Sequence, residues 1–149
     1  MENIFEPAAS AAILQRLQKL QPGAVAQWGK MNVAQMMAHC QVPIACSLGD
    51  RIQRQSLMGM LFGRIAKKQI LKDTPFRKNL PTNASFMVKD QRDFEKERQL
   101  LLALIQRLAV ADPAVTAQRP HPFFGKLTGN ELGMLTWKHL DHHLGQSGV

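Results

Sequence analysis

Apolar residues recur along this chain at helical rather than strand spacing. In PAASAAILQRLQKLQPG, Ile13, Leu14, Leu17 and Leu20 fall at i, i+1, i+4 and i+7, one stripe of an amphipathic helix. Pro7 suits a first turn, where the missing amide costs nothing, and Pro22-Gly23 ends the segment. Asn32 offers an N-cap to VAQMMAHCQVPIACSLG, in which Val33, Met36, Met37, Cys40 and Ile44 lie to one side and His39 sits within the same apolar sector. Pro43 removes a backbone donor and predicts a kinked or shortened helix, with Gly49 as its natural end.

From Arg51 to Lys72 the middle is amphipathic. Leu57, Leu61 and Ile65 repeat at i, i+4 and i+8, with Arg64, Lys67 and Lys68 left for solvent. Gly59 and Gly63 weaken helix formation, so a shorter helix within a long connection is expected. DTPFRKNLPTNAS, with Pro75 and Pro81, reads as an extended loop. Asp90 is then expected to cap QRDFEKERQLLLALIQRLAV, with a buried stripe of Phe94, Leu101, Leu104, Ile105 and Leu108; Asp93 favours the positive end of that helix. ADPAVTAQRPHPFFGKL reads as an irregular linker. Thr128-Gly129-Asn130-Glu131 is a capping-box pattern that opens the last helix, ELGMLTWKHLDHHLGQ. The expectation is an all-α domain of four long helices, with a basic excursion between the second and third. No alternating strand pattern or internal repeat is present.

Composition agrees. With 149 residues, 45% hydrophobic and 20% charged, the chain suits a single globular domain spanning 1–149. Only Cys40 and Cys46 are present, which excludes a disulfide scaffold. No apolar run approaches the ~18 residues of a spanning helix. The start, MENIFEPAAS, lacks the basic region of a signal peptide, so a soluble cytoplasmic protein is expected.

The net charge of +8 is concentrated. Between Arg51 and Lys78 eight basic residues stand against Asp73 alone, an excess of +7. Such a belt draws phosphates, an anionic membrane or an acidic partner, or simply keeps a face solvated. No helix-turn-helix, zinc-finger, RRM or KH signature accompanies it. There is no Tyr, and the Phe and Trp residues do not interleave with the belt as stacking platforms would. Nucleic acid is therefore not the favoured partner. A non-catalytic binding module, using Arg51–Lys78 for nucleic acid or another polyanion, is the alternative function.

The five histidines are His39, His121, His139, His142 and His143. His139 and His143 are four apart, on one helical face. That spacing lets two imidazoles reach one metal, as in H-E-x-x-H, although the Glu base of that motif is missing here. Their face continues the stripe Leu132, Leu135, Thr136, which points them into the interior. His39 could supply a third nitrogen, and three His ligands leave a fourth position open for water or substrate. The same three residues also suit a buried hydrogen-bonded cluster without metal. His142 points about 100° away and packs elsewhere. His121, between two prolines, either rims a pocket or plugs the end of the bundle with Phe123 and Phe124; the plug is the simpler reading. Cys40 and Cys46 lack CxxC spacing and read as small core residues. No Ser-His-Asp order, glycine-rich phosphate loop or carboxylate pair appears, and no catalytic residue is assigned.

Taken together, W-G-K-M-N-V-A-Q-M-M-A-H-C, H-P-F-F-G-K-L-T-G-N-E-L-G and K-H-L-D-H-H-L-G-Q resemble the DinB/YfiT-like superfamily, and most closely a branch catalogued only as a domain of unknown function. The resemblance is clearest from Trp28 to the C-terminus. It implies a four-helix bundle with a long crossover between the second and third helices. It also implies a divalent metal, nickel or zinc, held by one His of the second helix and the H-x-x-x-H of the last, here His39, His139 and His143. Characterised relatives include transferases and isomerases using low-molecular-weight thiols, and a metal-dependent hydrolase. The resemblance thus implies a small-molecule or thiol substrate, thiol transfer or hydrolysis at the metal, and a homodimer. Leu144 precedes Gly145-Gln146 where many members carry Arg, a departure that bears on the surroundings of the site and on any anionic substrate contact.

Overall fold

A computed structural model describes residues 1–80 and 86–149. Six helices and no strand occur among them: α1 (Pro7–Lys19), α2 (Val33–Leu48), α3 (Leu57–Ile70), α4 (Phe94–Ala109), α5 (Pro113–Thr116) and α6 (Gly129–Gln146). The end of the loop expected over DTPFRKNLPTNAS, residues 81–85, lies outside the described residues.

Local chemistry sets most of the boundaries. Pro7 opens α1. Asn32 and Gln35 cap α2 reciprocally, each side chain accepting from the other's backbone amide at 2.9 and 3.1 Å. Pro43 does not shorten α2. The helix runs on to Leu48 and stops at Gly49, whose φ of 85° suits a residue without Cβ. Thr128 and Glu131 form the expected capping box at the start of α6.

Two boundaries differ from expectation. Asp93, not Asp90, caps α4, because its carboxylate accepts the Lys96 amide at 2.7 Å while Asp90 pairs with Arg92. The linker after α4 contains the short α5, started by Asp112 and by Pro113 in the first turn.

The apolar stripes of α1, α2, α4 and α6 meet in one core. α2 packs against α4 and α6, and α1 against the same two. Ile13, Leu17, Met36, Met37, Ile44, Leu101, Ile105, Leu108, Leu140 and Leu144 are all essentially inaccessible to water. Burying each such side chain contributes on the order of 2 kcal/mol. Cys40 joins this core, and Cys46 packs with Val42 and Phe86. No described helix is long and apolar enough to cross a membrane.

The expected orientation of α3 is overturned. Gly59 and Gly63 are its buried residues, whereas Leu57, Leu61 and Ile65 are at least 70% exposed. The glycines let the helix backbone approach the Phe123 carbonyl so closely that a Cβ at Gly59 or Gly63 would lie 2.5 or 2.3 Å from its oxygen. Close backbone packing, rather than the apolar stripe, decides which face turns inward.

Candidate metal centre

α6 places His139 and His143 one turn apart, and the packing of α2 on α6 brings His39 to them. Ring centroids lie 4.9 Å apart for His39–His139, 4.7 Å for His39–His143 and 4.7 Å for His139–His143. One ring nitrogen from each falls within 4.8 Å of the other two, and the three could hold a metal ion. His39 and His143 are buried, and His139 is partly exposed.

The outer nitrogens of His39 and His143 are anchored by acceptors. His39 Nδ1 lies 2.9 Å from the Phe86 carbonyl, which can only accept, so the proton sits on Nδ1. Gln146 Nε2 donates to the Trp28 carbonyl, which fixes the amide's orientation and turns its Oε1 toward His143 Nδ1 at 2.8 Å. His143 therefore also carries its proton on Nδ1. In their neutral forms both rings present bare Nε2 lone pairs to the cluster. His39 Nε2 meets His139 Nε2 at 2.9 Å. Because His39 Nε2 is bare, His139 donates to it from its own Nε2. Nitrogens bonded to one zinc-like ion at about 2 Å lie roughly 3–4 Å apart; the 2.9 Å His39–His139 approach and the 4.8 Å outer limit bracket that spacing, so the rings would shift slightly to take an ion.

Burial holds the cluster neutral. It pushes His39 below its ordinary pKa against the opposing effect of the Phe86 carbonyl. It brings His143 down to about 3, helped by neighbouring His39. His139 falls well below its usual range through burial and then through His143 and His39. Neutral imidazoles are the form that binds metal. The thiols offer no competing ligand, since burial raises the pKa of both Cys40 and Cys46 and Cys40 belongs to the core.

The remaining histidines stand around the cluster. His121 Nδ1 accepts the backbone amides of Phe123 and Phe124 at 3.1 and 3.2 Å, leaving its proton on Nε2. Its ring packs on Phe124 at 4.8 Å and Phe86 at 6.3 Å, and burial lowers its pKa to about 4. It thus packs with Phe124 while also facing Phe86, which edges His39. His142 lies against Trp28 and Phe76 at 5.4 and 5.8 Å. Asp141 turns away to pair with Arg16 at 2.6 Å.

Three surrounding residues were not assigned roles from the sequence. Gln146 follows His143 by three positions on α6, a spacing that allows contact and was a readable signal. Lys138 looks like a surface residue but is 6% exposed, its ammonium donating to the Ile70 and Lys72 carbonyls at the end of α3. Phe86 contributes a backbone carbonyl, which leaves no trace in residue type. No curated protein and no solved structure matches the chain. Residues 5–147 match the family described as Protein of unknown function (DUF1569), and the chain belongs to that family.

Proposed function

We propose that this protein is a metal-dependent enzyme built as a DinB-like four-helix bundle, in which His39, His139 and His143 hold a divalent cation, nickel or zinc, for thiol transfer or hydrolysis on a small molecule. The observation that carries this reading is the pair of anchored Nδ1 protons. Metal-binding histidines characteristically donate the outer N–H to a carbonyl or carboxylate, and His39 and His143 do so to Phe86 and Gln146. A bound cation supplies Lewis acidity, which lowers the pKa of a water or thiol and polarises a carbonyl.

The chain's own groups do the rest. Phe86 and Gln146 fix the orientation of two imidazoles, and burial keeps them deprotonated at Nε2. Phe86 also lines a cleft of about 280 Å³ with Ala38, Val42, Arg51 and Arg92. That volume suits a small ligand, although none of the three histidines lines the cleft and Arg92 is already paired with Asp90 and Glu97. Elemental analysis of untagged protein tests the reading. The expected result is one divalent cation per chain in the parent and none in His143→Ala. A parent that carries no metal, and whose melting temperature ignores added zinc, nickel or chelator, overturns it and leaves a hydrogen-bonded core cluster.

A further inference from the structure

Leu57, Met58, Leu61, Phe62 and Ile65 turn outward from α3, each 50–75% exposed. Their setting is built into the fold. Gly59 and Gly63 press on the Phe123 carbonyl, the Ser56 amide donates to Pro122 at 2.9 Å and Lys67 bridges to Glu131 at 3.1 Å. Lys138 holds the far end through the Ile70 and Lys72 carbonyls. Turning the helix to bury its leucines would break all of these contacts, so the apolar face stays outside.

The helix and the sequence on either side of it are cationic. Arg64 and Lys68 are exposed on α3, Arg51 and Arg54 precede it, and Lys72, Arg77 and Lys78 follow. No acidic residue lies within the helix. The stretch Arg51–Lys78 holds +7 of the chain's +8.

We propose that α3 docks this protein on an anionic lipid bilayer, with its apolar side chains in the boundary between headgroups and acyl chains and its cations among the lipid phosphates. Large apolar side chains within a field of cations match the two layers of an anionic leaflet. A second copy matches less well, because a two-fold contact through α3 would set the exposed Arg64 and Lys68 of one copy against those of the other with no acid on the helix to answer them. An acidic protein answers the charge but not five outward apolar side chains. The proposal is independent of the metal reading.

Flotation with vesicles tests it, comparing phosphatidylcholine alone with phosphatidylcholine containing roughly a third phosphatidylserine. The protein is expected to float with the anionic vesicles only. Leu61→Asp with Ile65→Asp abolishes flotation, and Arg64→Gln with Lys68→Gln weakens partitioning about 25-fold, fivefold per charge. All four positions are exposed, so unchanged thermal melts verify folding of the variants. Four outcomes overturn the proposal. The parent stays unbound, or the Asp variant floats as well as the parent, which makes the effect mere charge adsorption. Light scattering without lipid shows a dimer that the Asp variant splits, which gives the face to a second copy. Soluble polyglutamate binds as tightly as the vesicles, which gives it to an acidic partner.

Discussion

Replacing Gln146 by Leu removes the link between His143 and the Trp28 segment. Gln146 is 4% exposed, with both ends of its amide engaged. The substitution leaves the His143 Nδ1–H and the Trp28 carbonyl without those partners in a buried setting. Each orphaned group costs roughly 1–3 kcal/mol, and the packing of leucine offsets part of the loss. A net cost of about 2–4 kcal/mol is expected for the metal-free protein, which for a chain of this size lowers the melting temperature by roughly 5–15 °C. Losing the outer partner of a ligating histidine weakens metal binding 10–100-fold, or about 1.4–2.7 kcal/mol. Gln146→Glu separates the two effects. A carboxylate still accepts from His143 but no longer donates to Trp28, so stability falls while affinity is kept. Melts in chelator report stability, and competition with a chromophoric chelator reports affinity. If Gln146→Leu binds zinc or nickel as tightly as the parent, the orientation argument is wrong.

Acid should destabilise the metal-free protein. His143 and His121 have folded pKa values depressed from 6.5 to about 3 and about 4, so the unfolded chain takes up protons first as pH drops. Their stabilisation is complete above about pH 6.5 and is lost between there and about pH 3, with His143 alone accounting for on the order of 5 kcal/mol. Urea unfolding near pH 7 and near pH 4 measures this, and equal stabilities would contradict the buried, neutral cluster. Gly63→Val places side-chain carbons on the Phe123 carbonyl, 2.3 Å from where Cβ must sit. It should release α3 at a local cost of about 1–3 kcal/mol, seen as faster proteolysis between residues 51 and 80 with the core intact; an unchanged digestion pattern would refute the packing role of the glycine.

Four helices were legible because each satisfied local and tertiary demands at once. Asn32 and Thr128 are good caps that also precede apolar stripes facing the core. The histidine cluster was legible for a related reason. His139 and His143 continue the inward face of α6, and His39 lies in the inward sector of α2, so packing those faces brings the rings together. α3 misled because apolar periodicity signals burial only when a helix has a matching face to meet. Its Gly59-x-x-x-Gly63 spacing carried the opposite message, that of backbones in close approach. Lys138 defeated reading by residue type, since a lysine whose ammonium finishes another helix's carbonyls can be buried. The Phe86 carbonyl had no signal at all, because every residue but its backbone geometry offers the same group.

The glycine contact also divides the molecule's cooperativity. α3 buries only Gly59 and Gly63, so almost none of the hydrophobic free energy that binds α1, α2, α4 and α6 is invested in it. Its attachment consists of polar anchors, backbone contact and the packing of Ile70 and Leu71 on the small cluster of Leu127, Leu132 and Leu135, outside the main core. The chain is therefore expected to open as two units of unequal strength, which hydrogen exchange of the α3 amides against those of α2 and α6 would measure. The weaker one bears the apolar and cationic surface, and the stronger one holds the histidines. Substitutions on the outer side of α3 can change what that surface adheres to while leaving the thermal midpoint, and the imidazole geometry, where they were.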